Sequence, residues 1–258
     1  MILVTGATGT IGSALVRLLL ARGEEVTAVT RDPAKIEPRP GLTVSSEIGK
    51  ARAVFLLAPA GPQIPHIDRN FVEKAKDAER LVKLSAIVAP EAGLNAWHQP
   101  GEDALRQSGQ EWTILRPTTF ASNSLAWRDD IRNNRPILNI FGDGRQGIVD
   151  PEDVAAVAAE VLTGAGHHGK TYTLTGPELL TVPEQAAQLA AVLRTAITTV
   201  DVPPAREHFP PEIADMTLAG ALLVRDGGNA ILTDDVEKVL GRRPGTYRAW
   251  AERQFTAG

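Results

Sequence analysis

Apolar positions in the first half of the chain alternate between two patterns. Short, nearly unbroken apolar runs at residues 1–5, 53–58 and 81–84, with a Val/Thr-rich run at 25–31, read as strands buried on both faces. Between them, Ile11, Leu15, Leu18 and Leu19 recur at helical spacing until Gly23 ends the stretch, and Ile64, Ile67, Phe71, Ala75 and Ala78 mark a second helix. A third helix is expected over 99–107, closed by Gly109, and a further strand over 112–115, ended by Arg116-Pro117. Residues 32–52 carry Pro33, Pro38, Pro40, Gly41 and Gly49, which leaves room for a short strand at 42–45 but not for a crossover helix. Strand–helix alternation of this kind predicts an α/β fold: a Rossmann-type doubly wound parallel sheet with helices on both faces.

The second half changes character. Asp150-Pro151-Glu152-Asp153 has the acceptor, proline and acids of a helix start, and Val154, Val157, Val161 and Leu162 form the apolar stripe that follows. A strand is expected at 172–175, a capping box at Thr181-x-x-Glu184, a strand-like run at 196–202, and a last helix capped by Thr246. Four prolines at 203, 204, 210 and 211 separate mostly helical pieces. We read 1–150 as one domain built on that sheet and 151–258 as a smaller C-terminal α/β lobe, interleaved with it and not separated by a linker.

Composition narrows the function classes. With 43% hydrophobic residues, 258 residues can bury a full core. The 27 basic and 31 acidic side chains are evenly spread, so nucleic acid is not an expected ligand. Cysteine is absent, which removes disulfides, thiolate metal sites and thiol nucleophiles and fits a reducing cytoplasm. No apolar run reaches the ~18 residues of a membrane span, and glycines interrupt the N-terminal apolar segment as no signal peptide would allow. His167-His168 reads as a solvated turn, and no metal site is expected.

The chemistry begins at Val4-Thr5-Gly6-Ala7-Thr8-Gly9-Thr10-Ile11-Gly12, which lies between the first strand and the first helix. Gly6 permits the turn, Gly9 lets backbone approach a pyrophosphate, and Gly12 lets the helix pack close to the strand. Thr8 and Thr10 add hydroxyl donors, and the N–H groups at Ile11 and its neighbours sit at the positive end of a helix. Arg31 ends the second strand, where an arginine suits the 2′-phosphate of NADP and an acid would take the 2′-hydroxyl of NAD; Lys35 is close enough to assist. NADP(H) is therefore the preferred cofactor, with NAD(H) allowed.

The chain resembles the NmrA-like members of the atypical short-chain dehydrogenases. The resemblance rests on the glycine loop, Thr30-Arg31-Asp32-Pro33, Lys83-Leu84-Ser85, His98-x-x-x-Glu102, Thr113-Ile114-Leu115-Arg116-Pro117 with Phe120 and Asn123, Phe141-Gly142-Asp143-Gly144 and Gly169-Lys170-Thr171-Tyr172, and it runs nearly the whole length. It implies that Leu57, Ala58 and Pro59 line the ribose and pyrophosphate. It places Ser85 near the nicotinamide, with Pro117, Thr118, Thr119 and Phe120 beside the ring. Short-chain dehydrogenases put a Tyr about thirteen residues after that Ser, and a Lys four further on that lowers the Tyr pKa. Here those positions hold His98 and Glu102, and no Tyr or Lys occurs from 84 to 169.

At i, i+4, His98 and Glu102 share a helix face and could pair. His98 either orients substrate or donates a proton beside the nicotinamide, or it caps and packs the helix start. Trp97, His98, Asn123 and Trp127 are the candidate substrate contacts, with the two tryptophans either walling a flat aromatic substrate or packing the lobes. Asp150 and Asp153 read as helix caps and Arg116 as a structural ion-pair former. The resemblance implies an Asp that touches adenine, and this chain lacks it, so either adenine is more exposed or Ser45 and Ser46 substitute. The expected activity is NADPH-dependent reduction of a small, planar, electron-poor molecule such as a quinone or conjugated ketone. The alternatives are a non-catalytic NADP(H)-sensing regulator with a protein partner, and an isomerase or dehydratase of secondary metabolism on the same scaffold. A small molecule is the expected partner, and a homodimer is allowed.

Overall fold

A computed structural model describes residues 1–59, 61–87 and 97–256. In chain order its elements are β1 (Ile2–Thr5), α1 (Thr10–Ala21), β2 (Val26–Val29), β3 (Leu42–Ser45), β4 (Ala53–Leu56), α2 (Ile64–Lys74), β5 (Arg80–Leu84), α3 (Gln99–Arg106), β6 (Glu111–Pro117), β7 (Thr119–Phe120), α4 (Arg128–Arg132), β8 (Ile137–Asn139), β9 (Gln146–Val149), α5 (Pro151–Thr163), β10 (Lys170–Leu174), β11 (Leu179–Leu180), α6 (Val182–Leu193), β12 (Thr199–Asp201), α7 (Ala214–Arg225), α8 (Asp235–Leu240) and α9 (Tyr247–Phe255). Among the described residues, seven strands form one parallel sheet in the order β10-β6-β5-β4-β1-β2-β3. The order reverses at β1, which lies between β2 and β4, and in open α/β sheets the crevice outside the strand ends at such a point takes the ligand.

Successive side chains of a strand point to opposite faces, and each face has its own core. Ile2, Val4, Ala53, Phe55, Val82 and Leu84 meet α1 and α5 through Ile11, Leu15, Leu19, Val154 and Val157. Leu3, Val54, Leu56, Leu81 and Ile114 face the other way, toward Val72 of α2 and Leu105 of α3. Lys83 shares the parity of Leu81, so the pleat sends a cation toward α2 and α3. Between β2 and β3 the chain makes only a 3-10 turn at Pro33–Lys35, as the prolines there require.

A division at residue 150 cuts through this layer, because α5 and β10 both belong to it. Of the remaining C-terminal elements, α8 packs on α5 and β10 with Val236 in the sheet core, and the others join with β7, β8 and β9 into the smaller lobe, where β11-β9-β7 and β12-β8 pair. Leu189, Tyr247 and Trp250 form its core with Ala121 and Ile148. Three of the expected caps are present, whereas Asp153, also read as a cap, instead accepts from the Gly245 N–H and pairs with Arg242. Asp150 accepts from the Glu152 N–H, Thr181 and Glu184 form a reciprocal capping box, and Thr246 accepts from the Ala249 N–H.

Arg80 locks α5 onto the sheet. Its Nη1 donates to the carbonyls of Val161, Leu162 and Gly164, at 3.1, 3.1 and 2.6 Å, the orphan acceptors of the helix C-terminus. Arg80→Met keeps much of the stem and removes these charge-assisted bonds, with an expected loss of about 1–3 kcal/mol. A thermal midpoint equal to that of the parent would contradict this role.

Candidate functional site

The glycine loop connects β1 to α1 at the carboxyl edge of the sheet. Gly6 has φ +63°, and Leu57, at the end of β4, packs against it so closely that a Cβ would come within 2.9 Å of Leu57 Cδ2. A Cβ on Gly12 would fall on the Gly6 carbonyl oxygen, so only glycine allows α1 to start this close to the strand. The Thr5 hydroxyl accepts from the Leu57 N–H at 2.7 Å and so ties the ends of β1 and β4 together. Gly9 is the N-cap of α1 in extended conformation, with no side-chain cap and no acid in the first turn. The first N–H groups of α1 are thus left for an anion from outside the chain. These observations fit a dinucleotide pyrophosphate.

Thr8 and Thr10 are exposed at the loop, Ile11 is buried beneath it, and Ala58 and Pro59 continue the β4 end beside it. A cleft of about 500 Å³ flanks the loop, lined by Thr8, Arg17, Lys35, Arg39 and Leu42 among others. Its cations already have carboxylates: Lys35 pairs with Asp32 at 3.3 Å, Arg39 with Glu37 at 3.8 Å and Arg17 with Glu152 at 2.5 Å. Arg31, exposed at the end of β2, has no carboxylate partner among the described residues. Ser45 accepts from the Glu47 N–H, and Ser46 is exposed.

The next strand ends, β5 and β6, carry a buried polar cluster. Glu102 of α3 is fully buried and takes Ser85 Oγ at 2.6 Å, Arg116 at 3.0 and 2.5 Å, and Arg106 at 2.8 Å. Burial alone would raise its carboxyl. The hydrogen bonds from Arg116 and Ser85, with the charges of the two arginines, outweigh it and hold the group below the usual carboxylate range. The expected His98–Glu102 pairing is therefore replaced: the carboxylate turns to Arg116 of β6, Ser85 after β5 and Arg106 of its own helix, and two guanidinium groups satisfy it better than an imidazole would. Arg116 is the ion-pair former that its position suggested, and the Ser85 hydroxyl is committed to Glu102.

His98 faces Lys83. The Lys83 ammonium is fully buried and bonded to Asp68 Oδ2 of α2 at 2.5 Å, with His98 Nδ1 3.5 Å away. A Cβ on Gly101 would strike the Asp68 carboxyl, so this glycine sets the approach of α3 to α2. Burial pushes the Asp68 carboxyl up and the Lys83 ammonium down, each against the pull of its partner. Burial, reinforced by the Lys83 charge and opposed by Glu102, brings His98 down to about 4. Its side chain makes no cap bond at α3. Lys83 and Asp68 were missed as a site in the sequence. The available signals were a lone cation in a buried strand and a lone acid one turn after Ile64 on the apolar face of α2.

The other candidates divide. Trp97 is half-buried next to His98, whereas Trp127 packs into the smaller lobe with Ile131, Ile137, Val182 and Ala186. Asn123 is exposed. Pro117 is buried at the end of β6, the Thr118 hydroxyl bonds the Gly147 carbonyl, and Phe120 packs on the sheet core next to α5. His168 Nδ1 accepts from the Trp112 N–H at 3.2 Å, and His167 meets the Tyr172 hydroxyl at 2.9 Å. Among the described residues no helix is long and apolar enough to cross a membrane.

A family model described as NAD(P)H-binding matches residues 6–165. The chain is 35% identical, over all of its length and 99% of the relative's, to a (4-alkanoyl-5-oxo-2,5-dihydrofuran-3-yl)methyl phosphate reductase of Streptomyces griseus. It is 32% identical, with the same coverage, to an NAD(P)H azoreductase of Xenophilus azovorans. The structure of an Escherichia coli NADPH-dependent quinone oxidoreductase complexed with NADPH superposes with a TM-score of 0.85 at 25% identity, covering 99% of this chain and 100% of that one.

Two outcomes follow from the charge cluster. Lys83→Met strands the Asp68 carboxylate and is expected to cost about 3–5 kcal/mol, most of it recovered in Lys83→Met/Asp68→Leu, as urea unfolding would show. A folded-state His98 near 4, against 6.5 for an ordinary histidine, means that the unfolded chain binds the extra proton. Stability is then whole above pH 6.5 and falls as pH drops toward 4, and the fall should be smaller in His98→Gln. An equal acid slope in both proteins would contradict the assignment.

Proposed function

The chain belongs to the NAD(P)H-binding family, and on that premise we propose that it is an NADPH-dependent reductase of a small, planar, electron-poor substrate, a quinone or conjugated ketone. The observation that carries this reading is the content of the β5–α3 corner. A short-chain dehydrogenase would keep a Tyr–Lys acid there, and this chain has a neutral histidine above a closed ion pair and a carboxylate satisfied by Ser85, Arg106 and Arg116. Bound reduced nicotinamide supplies hydride. A quinone accepts it with little acid assistance, because the hydroquinone anion is stable and takes its proton from water, so loss of the Tyr–Lys pair is tolerated.

The residues divide the work by position. Gly6, Gly9 and Gly12, with the N–H groups of Thr10 and Ile11, hold the pyrophosphate, and Thr8 adds a hydroxyl. Arg31, the cation with no carboxylate partner, takes the 2′-phosphate, and Lys35 adds positive charge nearby. Leu57, Ala58 and Pro59 bound the ribose, while Ser85, Pro117, Thr118 and Phe120 lie on the nicotinamide side. His98 and Trp97 contact the substrate. The reductase relatives support this, since a quinone, an azo compound and an alkanoyl-oxo-dihydrofuran are all small and electron-poor.

NADPH oxidation followed across a quinone panel should show saturable turnover above the uncatalysed background. Intact NADPH binding without turnover would overturn the reductase reading in favour of an NADP(H) sensor. Arg31→Ala should weaken NADPH by about 10- to 100-fold, the worth of a charge-assisted bond, and leave NADH nearly unchanged in a fluorescence titration. Equal losses for the two cofactors would remove Arg31 from the phosphate site.

A further inference from the structure

Burying an ion pair is costly, and replacing one with apolar groups is often neutral or better. The Lys83–Asp68 pair is entirely inside the α2–α3 layer, 0% and 1% exposed, on a sheet face otherwise built from leucine, valine and isoleucine. It touches no part of the glycine cradle. What it does touch is His98, at the position where the related dehydrogenases carry their acid.

The donor inventory fixes the polarity of that contact. An ammonium has three N–H donors and no acceptor. Lys83 Nζ reaches Asp68 Oδ2 at 2.5 Å, the Leu84 carbonyl at 3.4 Å and His98 Nδ1 at 3.5 Å, the outer limit of hydrogen-bond reach. A proton on Nδ1 would set two donors head to head, so Nδ1 is the bare nitrogen and the ring proton sits on Nε2, on the far side of the imidazole. We propose that Lys83, anchored by Asp68, is a positioning residue that holds His98 as the neutral Nε2–H tautomer, so that His98 meets the oxygen of a bound quinone or ketone as a hydrogen-bond donor and not as an imidazolium.

The other charges around His98 fit this assignment. Asp68 lies behind Lys83 on α2, and its Oδ1 is buried without a partner among the described residues, so its charge is spent on the ammonium. Glu102, one turn along α3, would favour imidazolium, and Arg106 and Arg116 neutralise it. His98 occupies the N-cap of α3, where the helix dipole also disfavours a cation. Gly101 keeps the arrangement closed, since any side chain there would displace Asp68. A neutral imidazole is too weak an acid to give up its Nε2 proton, so it stabilises the developing oxyanion by hydrogen bonding, and the product takes its proton from water.

The tautomer assignment stands on geometry alone; its use toward substrate rests on the reductase reading. Nitrogen-15 imidazole spectra of the full chain, with His98 assigned through His98→Gln, test the first. At pH 7 the expected pattern is a protonated Nε2 and a bare Nδ1, with no titration between pH 8 and 5. In Lys83→Met/Asp68→Leu the His98 midpoint should rise by about one pH unit or more, tenfold or more in proton affinity, with the other histidines unmoved. A protonated Nδ1 or a midpoint near 6.5 in the parent protein overturns the proposal even if the double variant fails to fold, and so does an unchanged midpoint in a folded double variant. For the second, quinone kcat should fall in the double variant while the NADPH Kd holds, and an undiminished kcat overturns the substrate role. No turnover in the parent protein would instead count against the reductase reading and leave the tautomer result standing.

Discussion

A parallel sheet covered on both faces has no water to offer a charge, and in this protein that constraint falls on Lys83. The pleat turns its side chain into the α2–α3 layer, where Leu81 and Ile114 are its neighbours in the sheet. An unpaired ammonium there would be neutralised or would unfold the layer. Asp68 must therefore reach it from α2, and the reach is possible only because Gly101 leaves room in α3 for the carboxyl. The same close approach fixes the start of α3 and seats His98 over the pair. One buried cation thus sets the spacing of two helices and the placement of His98 beside it.

The neighbouring carboxylate solves the same problem differently. Glu102 is as deeply buried as Lys83, but two arginines and a serine satisfy it, and its carboxyl is held below the ordinary range where that of Asp68 is raised. Each charge in the corner is spent internally. In a dehydrogenase that must protonate an alkoxide, a corner so closed would be a defect. For a substrate whose reduced anion is already stable, a fixed neutral donor in a dry setting is sufficient, because preorganised hydrogen bonds stabilise developing charge without reorganising.

What could be read in the sequence followed how local each signal was. Strands β1, β4 and β5 and helices α1, α5 and α6 announce themselves through continuous apolar runs, helical spacing and caps a few residues apart, and all form as expected. The short strands β7, β8, β9 and β11 were not anticipated. Two to four residues carry no usable period, and their pairing depends on chain returning from far away. The glycine cradle was legible because its requirements, a positive φ and a missing Cβ, are local. The link from Lys83 to Asp68 spans 15 residues and joins a strand to a helix, and the spacing of His98 and Glu102 suggested a pairing that better partners on β5 and β6 displaced. Periodicity reports which face a residue takes and leaves its partner there undetermined.

The cofactor side shows what the short connection after β2 changes. A crossover helix would cover β3 and give the adenine a wall; here a 3-10 turn and exposed chain lead to β3, whose Thr43 is exposed and whose Leu42 is half-buried. On the proposed reading the adenine end would offer few buried contacts, and affinity would fall to the phosphates, at the uncapped start of α1 and at Arg31. Three of the four cations near the loop are occupied by Asp32, Glu37 and Glu152, and on the proposed reading the ribose phosphate would meet Arg31, which has no carboxylate partner among the described residues. Discrimination between the two nicotinamide cofactors would then rest on one side chain, and binding strength on backbone N–H groups that treat both alike.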